Sequence, residues 1–188
     1  MATRLLFVAS IFSAILFTSF VYATNLLPNG SFDSGVAGWQ VSGVDWNSDD
    51  ASGNANSGSI QLEGGNQGAS ASVTFLVTPG ATYTYGASSK FIRGTDPADQ
   101  LYFFCVASND GVTTTPLLPQ PVFSHDPAWS IAAPVSGTLP ADAVSVSCYA
   151  ALSTHENHPD FPIARFDDLF FESPAITTSV RLQSFTVQ

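Results

Sequence analysis

Apolar and polar residues alternate with a period of two along much of this chain, in short runs set off by Gly, Pro, Asn and Ser. That period puts every second side chain on one face, as a half-buried strand requires. Residues 60–62, 69–77, 82–91, 101–107, 129–135, 144–152 and 164–171 read as strands. Helical signals are nearly absent. Thr78-Pro79-Gly80-Ala81 is expected to form a tight turn that joins two long strands into a hairpin. Residues 45–58, dense in Asp, Asn, Ser and Gly, are expected to be a loop, as are 109–126 and 153–162. The pattern predicts a single all-β sandwich.

The first residues stand outside that pattern. Arg4 precedes an apolar run from Leu5 to Phe20, and Val21-Tyr22-Ala23 offers the small residues that a signal peptidase reads. Residues 1–23 are expected to be a secretory signal peptide, with an uncleaved membrane anchor as the alternative. The mature chain would then be one β-sandwich domain over 24–173, followed by a linker or tail over 174–188. The whole chain carries 5 basic and 15 acidic residues, and loss of Arg4 takes its net charge from −10 to −11. Such a surface repels nucleic acid and anionic membranes and suits neutral partners or cations. A monomer without membrane contact after cleavage is expected. Export would place Cys105 and Cys148 in an oxidising compartment, where an even count suits one disulfide; two buried free thiols are the alternative.

The opening stretch "NLLPNGSFDSGVAGW", Asn25 to Trp39, resembles the start of carbohydrate-binding modules of families 4 and 9. "NSGSIQL", "VTFLVTPGATYTYGAS", Trp129 and the closing "ARFDDLFF" resemble further pieces of the same pattern, in the same order. The resemblance implies a galactose-binding-domain-like jelly-roll β-sandwich whose members hold polysaccharides without cleaving them. It also implies a structural Ca²⁺ where the two chain ends meet. Calcium takes six to eight oxygen ligands. Asp33, near the first strand, and Asp168 or Asp167, in the last, are the expected ligands. Asp168 is favoured over Asp167, because neighbouring residues on a strand point to opposite faces. Asp45, Asp49 or Asp50 could complete the shell. Carboxylates that merely accept backbone hydrogen bonds are the plainer reading.

A polysaccharide site needs flat rings against the apolar faces of the sugars and polar groups for the hydroxyls. In "LYFFCVA", Leu101, Phe103 and Cys105 share one face, and Tyr102 and Phe104 share the other. In "VSVSCYA", Cys148 shares a face with Val144 and Val146, while Tyr149 opposes them. If the cysteines pair, Tyr102, Phe104 and Tyr149 point outward on one sheet and form the expected platform. Thr84, Ser88 and Lys90 share a face of the preceding strand and are expected to supply hydrogen bonds, with a snorkelling lysine as the plainer reading of Lys90. Trp46 is expected to overhang the cleft or to plug the end of the sandwich. Trp39, Tyr83 and Trp129 are expected in the core.

Enzyme signals are thin. "STHENHPDFP" brings His155, Glu156, His158 and Asp160 into one Pro-flanked loop, which offers little of the rigidity a catalytic metal site needs. No Ser-His-Asp grouping follows from spacing. The sequence therefore points to a secreted, non-catalytic carbohydrate-binding domain for a neutral polysaccharide. A structural or adhesive extracellular β-sandwich without a working cleft is the alternative.

Overall fold

The computed structural model describes residues 23–65, 68–94, 98–153 and 161–174. Twelve strands are described: β1 (Ala23–Asn25), β2 (Gln40–Ser42), β3 (Val44–Asn47), β4 (Ser59–Glu63), β5 (Ala69–Leu76), β6 (Thr82–Arg93), β7 (Gln100–Ser108), β8 (Thr114–Pro116), β9 (Ser130–Ile131), β10 (Val135–Thr138), β11 (Ser145–Ser153) and β12 (Ile163–Pro174). They form two antiparallel sheets. One runs β10-β6-β12-β4-β3, with β1 added to β12 and β9 to β6; the other runs β2-β5-β11-β7-β8. The layers are the all-β sandwich the alternation implies, in the jelly-roll form the resemblance implies. No described helix is long and apolar enough to cross a membrane.

Alternation decides what the layers bury. Leu101, Phe103, Cys105 and Ala107 of β7 point inward, as do Val146, Cys148, Ala150 and Leu152 of β11. They meet Tyr83, Tyr85, Ala87 and Phe91 of β6, Ile60 and Leu62 of β4, and Phe166 and Phe171 of β12. Tyr85 is fully buried, and its hydroxyl donates to the carbonyls of Leu117 and Pro119. Burial pushes its pKa up to about 12. Cys105 and Cys148 lie directly opposite one another on β7 and β11 and form a disulfide in the core.

The chain ends meet as expected. β1 pairs with the last residues of β12, Thr24 opposite Ser173. The Leu169 amide donates to the Gly30 carbonyl at 2.9 Å. A β-carbon on Gly30 would overlap the Leu169 carbonyl oxygen. This seam needs glycine for close backbone approach.

Four expectations change, one being that the expected loop 109–126 carries the short strand β8. Pro79-Gly80 does turn, with Gly80 at φ +69° and a bond from the Ala81 amide to the Thr78 carbonyl. However, β5 and β6 lie in different sheets, so the turn is a crossover between layers and not a hairpin. The expected strand over 129–135 is split between β9 and β10. The polar tract that begins at Asp45 opens as strand β3, which pairs with β4. The signal-peptide residues 1–22, the loop with His155, Glu156, His158 and Asp160, and the tail beyond Pro174 lie outside the described residues.

Candidate functional site

The outer face of the five-stranded sheet follows from the register. Phe104 of β7 stands opposite Tyr149 of β11, which stands opposite Ser72 of β5, which stands opposite Gln40 of β2. One row along, Tyr102, Ala151, Ser70 and Ser42 line up in the same way; on the other side lie Pro116, Val106, Ser147 and Thr74. The Phe104 and Tyr149 rings stack, with centroids 5.1 Å apart and planes 15° from parallel. Each ring covers part of one face of the other, and both are half-buried. Strand order sets Tyr149 toward β5 and Phe104 toward β8.

Beside the rings the face is a floor of hydroxyls and amides: Ser70, Ser72 and Thr74 from β5, Ser147 from β11, and Gln40 and Ser42 from β2. Thr74 and Ser147 hydrogen-bond each other at 2.7 Å. These rows hold no Lys, Arg, Asp or Glu. Sequence reasoning found the rings and missed the floor. Its signal was the run of outward serines in "ASASVTF", which carried no ring to attract notice.

The structure separates the other expected sugar ligands from this platform. Thr84, Ser88 and Lys90 do share a face of β6, but β6 belongs to the opposite sheet and that face looks out on the other side of the sandwich. Thr84 Oγ1 bonds Ser136 Oγ, Ser88 is 5% exposed, and Lys90 Nζ binds Asp49 Oδ2 at 2.8 Å. Arg165 also pairs with Asp49, and Trp129 Nε1 donates to it at 3.3 Å. Although burial pushes the Asp49 carboxyl up, its bonds from Lys90, Arg165 and Trp129 hold it below the ordinary range. Trp129 is thus half-buried on that outer face, with Lys90 Nζ 5.8 Å from its ring centre, and not in the core. Trp46 sits on the edge strand β3, opposite core residue Ile60. Its indole donates to the Phe32 carbonyl at 2.8 Å and lies against Gly58, so it plugs the sandwich edge while 42% exposed. Trp39 and Tyr83 are buried as expected.

At the seam of the chain ends, β12 carries one extra residue between Asp167 and Phe170, and Asp168 takes φ +47°. The bulge breaks the alternation. It is Asp167, not Asp168, that is fully buried. Asp167 accepts the Ala51 amide at 2.8 Å and the Asp168 amide at 2.7 Å. Burial pushes its carboxyl up to about 6 against the lowering effect of those bonds, and the charges of Asp168 and Asp50 add to the rise. Asp168 is also raised, by burial and by Asp50. Asp50 itself is pushed up by burial but held low by bonds from the Asn54 amide and Ser52 Oγ; its Oδ2 is buried without a hydrogen bond. Asp33 does not join this group. It stands exposed and accepts a bond from Ser31 Oγ, while the neighbouring charge felt by both Asp167 and Asp168 is that of Asp50. Among the described residues no three His, Cys, Asp or Glu side chains form a metal cage, so a bound ion would also draw on backbone oxygens.

No family model matches the chain, and no curated protein matches it significantly. Solved structures do. A family 16 carbohydrate-binding module (module 2) superposes with a TM-score of 0.58 at 18% identity, over 78% of this chain and 99% of the module. The CBM22-1 xylan-binding domain of Paenibacillus barcinonensis Xyn10C gives 0.58 at 15%, over 85% of this chain and 100% of that domain. TmCBM61, solved with β-1,4-galactotriose, gives 0.50 at 13%, over 79% and 97%. The chain has the jelly-roll fold of carbohydrate-binding modules. These three belong to families 16, 22 and 61, so the sequence's resemblance to families 4 and 9 holds at the level of this shared fold and no finer.

Proposed function

We propose that the chain is a secreted, non-catalytic module that holds a neutral polysaccharide against the outer face of its five-stranded sheet. The observation that carries this reading is the pairing, on one uncharged face, of the Phe104–Tyr149 stack with the Ser/Thr/Gln floor. The outward Tyr149 ring would cover the C–H side of a pyranose while Ser72, Thr74, Ser147 and Gln40 meet its hydroxyls. The absence of fixed charge from these rows favours a neutral chain over an acidic one. The solved neighbours that bind xylan or a galactotriose share the fold, and the core disulfide suits an oxidising compartment.

A structural Ca²⁺ at the seam is part of the proposal. The residues fit it in one respect that needs no analogy: a buried acid held at about 6 and a buried, unbonded Asp50 oxygen are groups that a cation relieves. Asp50 and Asp167, with nearby carbonyls, would hold it. A cation there would tie the chain ends together and take no part in binding sugar.

A glycan array carrying neutral and acidic polysaccharides tests the main reading. Retention of a neutral β-glycan is expected. Retention of acidic glycans alone, or of none, would contradict it.

A further inference from the structure

The platform does not end at Tyr102. A hollow of about 330 Å³ opens beside it, walled by Gln100, Tyr102, Gln120, Pro121, Val122 and His125. This is within the size range of small-ligand sites. A second hollow, beside Ser108 and Asp142, holds only about 60 Å³ and is too small for a sugar ring.

The hollow beside Tyr102 is chemically prepared for a sugar. The segment after β8 crosses back near the start of β7 and sets Val122, 87% exposed, where an apolar wall faces solvent. The Tyr102 hydroxyl donates to Gln100 Oε1, which leaves the Gln100 amide hydrogens to donate elsewhere. His125 Nε2 lies 2.6 Å from the Asp99 carbonyl. A carbonyl only accepts, so Nε2 carries a hydrogen, and Nδ1 is the ring's second polar atom. The His125 ring is held against Phe91, centroids 4.5 Å apart. Donors from Gln100 and Gln120, a second polar nitrogen on His125 and an apolar wall at Val122 and Pro121 match the alternating polar and C–H surface of a pyranose.

Resting on the reading above, we infer that this hollow is an end subsite, which receives one further sugar unit of a glycan laid over the platform and reads its hydroxyls through Gln100, Gln120 and His125. The site then has a definite length. Oligosaccharides too short to pass Tyr102 bind through the platform alone, and those that reach the hollow gain affinity in one step.

Titration of the full chain with cello-, xylo- and β-1,4-galacto-oligosaccharides of two to six units tests this. Wild type is expected to show a rise of about tenfold between two successive lengths in at least one series. The double variant Gln120→Ala/Val122→Ala, altered only at exposed loop positions, is expected to lose that step and to keep wild-type affinity for the shorter members. A step that survives in this variant, or binding with no step in wild type, overturns the subsite. Phe104→Ala separates the two ideas: if it weakens every length while the hollow variant changes nothing, the platform stands and the subsite falls. Wild-type protein that binds none of the three series, nor any polysaccharide on the array, overturns both.

Discussion

Asp167 gives the seam a pH signature of unusual sign. Its carboxyl is pushed from an ordinary 3.8 to about 6 by burial and by the nearby acids. Between those values the folded chain binds more protons than the unfolded one, so stability must rise as pH falls. Taking 6 folded and 3.8 unfolded, acidification from pH 7 to pH 5 is worth about 1.3 kcal/mol, or about 3–5 °C in Tm for a domain of this size. Asp168, also raised, adds with the same sign. Asp49 and Asp110, the latter held at about 2 by bonds from the Val112 and Thr113 amides, act the other way. Their contribution is complete above 3.8 and is lost only below it, outside this window. Scanning calorimetry in chelator at pH 5, 6 and 7 measures the effect, and Asp167→Asn should flatten most of it. With saturating Ca²⁺ the order reverses, because protons then compete with the ion for the same oxygens. A hundredfold excess of ion over Kd adds about 2.7 kcal/mol at pH 7. Chelated protein that melts lower at pH 5 than at pH 7 would refute the burial argument. A Tm unchanged by Ca²⁺ at pH 7 would refute the ion.

Gly30→Ala forces a methyl into the Leu169 carbonyl and should cost about 1–3 kcal/mol, read as a lower urea midpoint; an unchanged midpoint would mean the seam is not closed. Replacing both Cys105 and Cys148 by Ala opens a link across 43 residues and should cost about 4 kcal/mol by loop-closure entropy, again by urea titration; a loss below about 1 kcal/mol would place the bond outside the folding unit. Thr84→Ala and Lys90→Met lie on the opposite outer face and should leave retention by an immobilised polysaccharide unchanged. Weakened retention in either would shift the site to the other sheet.

The legible parts of the fold were those with long, regular alternation. β7 and β11 each run nine residues, and a cysteine in each fixes which face is inward, so Tyr102, Phe104 and Tyr149 were placed outward from sequence alone. β1, β2, β3 and β8 have three or four residues, too few to show a period. A turn signal such as Pro79-Gly80 says that the chain reverses and not which sheet it enters. For that reason Thr84, Ser88 and Lys90 were given the right face of their strand and the wrong side of the molecule. Alternation also has no way to mark an inserted residue. The bulge in β12 therefore buries Asp167 and leaves Asp168 at the surface, the reverse of the facing that plain alternation favours. Asp50 was one of three loop acids open to the seam, and only the path of the chain after β3 singled it out over Asp45 and Asp49.

The outward ring pair is the point on which the functional account rests, and its most direct test is affinity electrophoresis through gels containing soluble neutral polysaccharides. Wild-type protein should be retarded by at least one of them, and Phe104→Ala/Tyr149→Ala, with its melting temperature held near wild type, should migrate at the rate seen in an empty gel. Retardation that persists in the double variant would contradict the account.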